Sequence, residues 1–273
     1  MIVAGLILLA VGAADLVRQF APRRWIGYLA VAVILLLLGS VSDALLPMIA
    51  ALVVGALWLW CMPSERPAPL GFWPAVLLGA VSIGAVVWSG ARADAGLIGE
   101  IWALRSPFGD VPFDLAVLTL GAGTFLLESA NLVVRAALDG EHTWRPADPA
   151  PPAENATPES SSATVSSPES EDAAEGSAID DVPASPVVPD PRGGFKGGRL
   201  IGPLERVLVM ILTLASAYPI LAAMLAAKGI VRFPEISRDG ETGARAEYFL
   251  VGSLVSWVIG LGAAFLVWWA AHS

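Results

Sequence analysis

Residues 204–227, LERVLVMILTLASAYPILAAMLAA, and 248–270, YFLVGSLVSWVIGLGAAFLVWWA, are two apolar runs joined by a charged connection at 228–247. A membrane-crossing helix needs about 20 predominantly apolar residues, within a range of about 17–25. Both runs meet that length, so each reads as a spanning helix and the pair as a hairpin. Five earlier stretches approach it too, near residues 2–17, 25–38, 45–61, 72–88 and 112–134. The expected fold is therefore all-α: a polytopic membrane protein of about seven transmembrane helices. Five form a body at residues 1–138 and two a C-terminal hairpin at 198–273.

Composition agrees with that class. Of 273 residues, 56% are hydrophobic and the mean hydropathy is +0.68, against roughly 45–50% apolar in soluble domains. The net charge of −9 is local, because Asp139 to Arg192 holds twelve acidic residues and two arginines. That segment also holds ten prolines. Too little apolar surface is left there to offset the entropy of ordering, so residues 139–197 read as a disordered cytoplasmic linker. The apolar body is nearly neutral, and no basic face for nucleic acid is expected.

A single cysteine, Cys61, cannot form an intramolecular disulfide. The two histidines, His142 and His272, lie in the linker and at the C-terminal end, which removes His/Cys metal sites and His-based triads within one chain. No catalytic residue, metal or cofactor is expected. Only two of the sixteen cationic residues are lysine, which together with abundant Ala, Val and Gly indicates a GC-rich bacterial genome. The bias of Lys and Arg among short loops sets orientation. With the N-terminus outside and seven spans, ten cations fall on the cytoplasmic side and six on the other. The expected placement is the bacterial cytoplasmic membrane with the N-terminus outside and the C-terminus inside.

Two groups of polar residues stand where ionisable side chains are costly. Asp15, Glu128 and Asn131 fall in the last turns of their runs, and Glu205 with Arg206 opens the sixth, so the five share one side as an inner cluster. The bland alternative is that each sits at headgroup level. Lys228 and Arg232 are four apart, on one helix face, with Glu235 beyond and Glu247 opening the seventh run. A continuous helix from Glu205 to Arg232 would be about 40 Å long, which puts this second cluster on the outer side. Lys228 and Arg232 are expected to clamp the hairpin through Glu247, or to meet lipid phosphates.

Gly252, Ser256 and Gly260, four apart, form a small-residue stripe of the kind that lets membrane helices approach closely. It is expected to meet Ala215, Pro219, Ala223 and Ala227, with Pro219 bending the sixth helix. A protein partner or a second copy is the rival use of that hairpin. Residues 93–104 read as a short interfacial amphipathic helix with Ile98, Ile101 and Trp102 on one face.

Gly198-Arg199-Leu200-Ile201-Gly202, Leu204-Glu205-Arg206, the run Ala226 to Phe233 and the run Ala246 to Leu254 with Ser256 together resemble the C-terminal part of an uncharacterised family of bacterial multi-pass membrane proteins, a domain of unknown function. Asp15-Leu16-Val17-Arg18-Gln19 is similar to that family's Asp-Phe-x-x-Gln signature, with Val11 where the family carries a histidine. The resemblance implies membrane location and fold, and no reaction. The expected function is a non-enzymatic membrane scaffold or regulatory subunit in contact with the lipid bilayer. The alternatives are a small transporter or permease, and an enzyme or binder acting on anionic lipid headgroups.

Overall fold

Where no water reaches, a chain must satisfy its backbone donors and acceptors internally, so long apolar runs close into helices. A computed structural model describes residues 1–63, 70–89, 92, 95–106, 109–140, 198–237 and 244–273, without the side chains of 100, 106, 140, 198–199, 232–237 and 244–245. The expected linker lies outside the described residues. The described chain is mainly helical: α1 (Ile2–Phe20), α2 (Arg24–Val41), α3 (Leu45–Cys61), α4 (Trp73–Trp88), α5 (Gly96–Ile101), α6 (Phe113–Leu127), α7 (Ser129–Gly140), α8 (Gly198–Leu214), α9 (Tyr218–Ser237) and α10 (Ala244–His272). Two short antiparallel strands, β1 (Arg105–Ser106) and β2 (Gly109–Asp110), pair Arg105 with Asp110 between α5 and α6.

By length and composition α1, α2 and α10 can each cross a membrane, and α6 with α7 makes a fourth candidate bent by 48°. Large apolar side chains stand exposed on the outer faces, among them Leu29, Ile34 and Leu37 of α2 and Leu77 and Val87 of the shorter helix α4.

The hub is α1, which is buried along most of its length and packs on α2, α3, α4, α6 and α7. Its closest partner is α6, running in the same direction. A Cβ on Gly5 would lie 2.7 Å from the Leu118 backbone nitrogen, and one on Gly12 would lie 2.7 Å from that of Phe125. Only glycine permits that approach, which brings the two helix backbones within dispersion contact. The helices of residues 1–138 and 198–273 belong to one compact unit.

The C-terminal region departs most from the expected hairpin, since residues 204–227 form two helices instead of one. Ser216 adopts φ +55°, and the amides of Ser216 and Ala217 donate to the carbonyls of Thr213 and Leu212, a Schellman-type stop that satisfies the last carbonyls of α8. Pro219, which lacks an N–H, then falls at the second position of α9, where it is tolerated. The expected bend is thus a reversal, and α9 runs back along α8 until Lys228 reaches Glu205.

Helix α10 next runs alongside α8 in the same direction, Ser256 beside Arg206 and Gly260 against Val209. It ends where Ala270, Ala271 and His272 share a cavity with Met1 and Asp114. Both chain ends therefore lie at one end of the bundle, where a path of seven full-length helices would separate them; the reversal at residues 215–217 is the cause. Beyond Arg206, α8 continues to Leu214 for about 12 Å, while α10 continues from Ser256 to His272 for about 24 Å. The α8–α9 turn thus stops roughly halfway along that part of α10.

Candidate functional site

The break between α6 and α7 comes at Glu128, with no proline or glycine to cause it. Side chains entering the hydrogen-bond ladder bend it instead. The freed Leu126 carbonyl accepts from Arg206 Nη1 at 3.0 Å, and Asn131 Nδ2 donates to the Leu127 carbonyl at 3.3 Å and to Glu128 Oε2 at 3.2 Å. Arg206 also donates through Nη2 to Asn131 Oδ1 at 2.6 Å and through Nε to Ser256 Oγ at 2.9 Å. One planar guanidinium, 4% exposed, therefore ties the bend to α10.

Asp15 is 0% exposed and sits one step along α1 from that bend. Its carboxylate accepts from Ser129 Oγ at 2.5 Å, Trp58 Nε1 at 2.8 Å and Arg18 Nη2 at 2.7 Å. Arg18 also donates to the Met62 carbonyl at 2.7 Å. A buried carboxylate survives in such surroundings only when ionic and neutral donors surround it.

Glu205 completes the group on α8. Both its oxygens accept from Lys228 Nζ, at 2.8 and 2.7 Å, and Trp257 Nε1 donates at 2.8 Å. The Lys228 ammonium also stands 5.5 Å from the Trp257 ring centroid and 5.9 Å from that of Phe249, within cation–π range.

Of the expected inner cluster, Asp15, Glu128, Asn131 and Arg206 bond to residues of the α6–α7 bend, while Glu205, next to Arg206 on α8, binds Lys228 and Trp257. The reversal carries Lys228 back to Glu205. The expected outer cluster does not form as drawn: Lys228 pairs with Glu205 and not with Glu247, which is exposed. The side chains of Arg232 and Glu235 lie outside the described residues. The small stripe also meets other partners than expected. Gly252 faces Leu138 and Val134 of α7, Ser256 faces Arg206, and Gly260 faces Val209 of α8.

Sequence reasoning missed Ser129, Trp58 and Trp257. They are uncharged residues in apolar runs, where nothing distinguishes a hydrogen-bonding Trp from a packing one. It also missed the pair at the opposite end, Arg92 on Asp114 at 2.8 and 3.1 Å, which also holds the Ser42 carbonyl at 3.0 Å.

Between the two charged levels lies an apolar cavity of about 180 Å³, bordered by Leu8, Leu78, Phe125, Val133 and Leu266. At the Met1 end, two larger cavities of about 610 and 480 Å³ adjoin through Arg92, Asp110 and Phe113. Among the described residues, no three His, Cys, Asp or Glu side chains gather as metal ligands. Comparisons with protein-family models, with curated proteins and with solved structures find no match to this chain.

Proposed function

We propose that this chain is a non-enzymatic integral protein of the bacterial cytoplasmic membrane, a scaffold or regulatory subunit. Its crossings are α1, α2, α3, α4, the bent α6–α7 pair and α10, with α8–α9 as a re-entrant hairpin. The observation that supports this best is mutual engagement. Asp15, Arg18, Glu205, Arg206 and Lys228 are each bonded to other parts of the chain, an arrangement that locks helices together. The resemblance of residues 198–256 to a multi-pass membrane family is consistent with this location.

Orientation follows from the reversal. With α9 returning, the cations at 228–245 join the end that already carries Arg18, Arg23 and Arg24. Of sixteen Lys and Arg, only Arg92 and Arg105 then belong to the Met1 end, which leaves fourteen opposite. Such a bias supports an orientation with the Met1 end and the C-terminal end outside, and the linker and the α9–α10 connection inside.

A small permease is the second reading, favoured by the α6–α7 break, since discontinuous helices beside charged groups mark many transporters. Purified protein in vesicles containing a pH-sensitive dye, under an imposed potassium diffusion potential, separates the two. The scaffold reading expects the proton flux of protein-free vesicles. A flux that Asp15→Asn abolishes would replace it with the permease. A stoichiometric protein partner, or a second copy, retained in mild detergent and lost on Arg206→Met would support the scaffold.

A further inference from the structure

The larger cavity at the Met1 end has a composition that the embedded network lacks. Its walls include Trp102, Phe113, Val111 and Leu104, and its charged lining residues are Arg92, Arg105 and Asp110, of which Arg105 and Asp110 stand at the rim. Trp102 is fixed, donating Nε1 to the Val111 carbonyl at 2.8 Å while its ring meets Phe113 edge-on at 5.3 Å. The apolar wall is therefore preformed.

The charges at the rim are held differently from every embedded pair. Arg105 and Asp110 face each other across β1 and β2, 3.6 Å apart, with side chains 87% and 86% exposed. A pair so long and so solvated contributes little to stability, so a ligand bearing both opposite charges displaces it at small cost. Arg92, the nearest other cation, is already bonded to Asp114 and to the Ser42 carbonyl.

The surroundings identify where that ligand comes from. Leu97 and Ile101 of α5 are exposed, as are Leu104 and Trp88 at the same end of the bundle. Short helices with exposed apolar side chains and flanking Trp lie at the boundary between acyl chains and headgroups. On the membrane reading proposed above, the rim of the cavity opens at headgroup level.

We infer that the α5–β1–β2 cavity binds the headgroup of a zwitterionic phospholipid bearing a primary ammonium, phosphate on Arg105 and ammonium on Asp110. A guanidinium matches phosphate with paired N–H donors, and a carboxylate accepts hydrogen bonds from a primary ammonium. A quaternary ammonium has no N–H to give, and a glycerol headgroup has no cation. The cavity, about 610 Å³, lies within the usual range of ligand sites. This inference rests on the membrane reading and is independent of whether the protein is a scaffold or a permease.

The test is native mass spectrometry of the full chain released from vesicles of equimolar phosphatidylethanolamine, phosphatidylcholine and phosphatidylglycerol. The expected result is phosphatidylethanolamine retained at least fivefold over either competitor. That preference should fall to parity in Arg105→Gln and in Asp110→Asn, both on exposed side chains. Equal retention of the three lipids by the wild type, or a preference unchanged in both variants, would overturn the inference. So would displacement of the lipid by soluble phosphoethanolamine at equal concentration, which would show that the bilayer contributes nothing. Flotation of the same vesicles keeps the outcomes apart: protein that floats without lipid preference defeats the site alone, and protein that fails to float defeats the membrane reading.

Discussion

Lys228 Nζ stands 2.7 and 2.8 Å from the two carboxylate oxygens of Glu205, twenty-three residues earlier in the chain. In one continuous helix those residues would be about 34 Å apart, so the contact exists only because the chain reverses between them. Lys228→Gln or Glu205→Gln leaves one half-buried charge without its partner. Each is expected to destabilise the protein by about 3 kcal/mol, measured by denaturant unfolding in mild detergent. The double Gln variant should lose less than the sum of the singles, and additive losses would mean that the pair does not hold the hairpin.

Arg206 donates three hydrogen bonds from one side chain to three distinct partners: the Leu126 carbonyl, Asn131 and Ser256. Lysine cannot reproduce that fork. Arg206→Lys is expected to recover little of the roughly 3–5 kcal/mol lost in Arg206→Met, where the freed carbonyl and amide are left without a donor. A lysine variant as stable as wild type would show that only charge matters at the bend.

The helices themselves were legible, because an apolar run of spanning length announces its own secondary structure. So was the nearness of Asp15, Asn131 and Arg206 to the break at Glu128, since charged and amide side chains at matching helix ends have few places to go. The reversal was not legible. Ala215-Ser216-Ala217-Tyr218-Pro219 carries no glycine, and a proline in a membrane helix bends it as readily as it ends it. That choice depends on Glu205 and Lys228 finding each other, a contact between positions that no local pattern links. The partners of Asp15 were hidden for a similar reason: Ser129 and Trp58 become donors only when α1 sits between α3 and α6.

The α1–α6 seam gives an internal comparison on one helix. A Cβ at Gly121 would collide with the Gly5 carbonyl oxygen, whereas one at Gly123 would meet nothing within 4 Å. Gly121→Ala must push two backbones apart and is expected to cost about 1–3 kcal/mol. Gly123→Ala is expected to be neutral or stabilising by up to about 1 kcal/mol from helix propensity. Thermal unfolding of the two variants in the same detergent checks this, and equal melting temperatures would mean that the seam is looser than described.

The reversal also decides where the chain ends emerge. Because α9 returns, α10 runs from the Leu138 end of α7 to the Met1 end of α1, so a reporter fused after Ser273 should report the same compartment as one fused before Met1. On the proposed orientation that compartment is the periplasm: an alkaline phosphatase fusion after Ser273 is expected to be active and a fluorescent protein there dark. Arg238→Cys, in a Cys61→Ala background, should react with a membrane-impermeant maleimide only in inside-out vesicles. If the Ser273 reporter and the amino-terminal one fell on opposite sides, α8–α9 would have to cross as a single helix and the Glu205–Lys228 contact could not form. If both fell in the cytoplasm, the hairpin would stand and the charge bias would have failed as a guide, because neither outcome can be produced by the other's error.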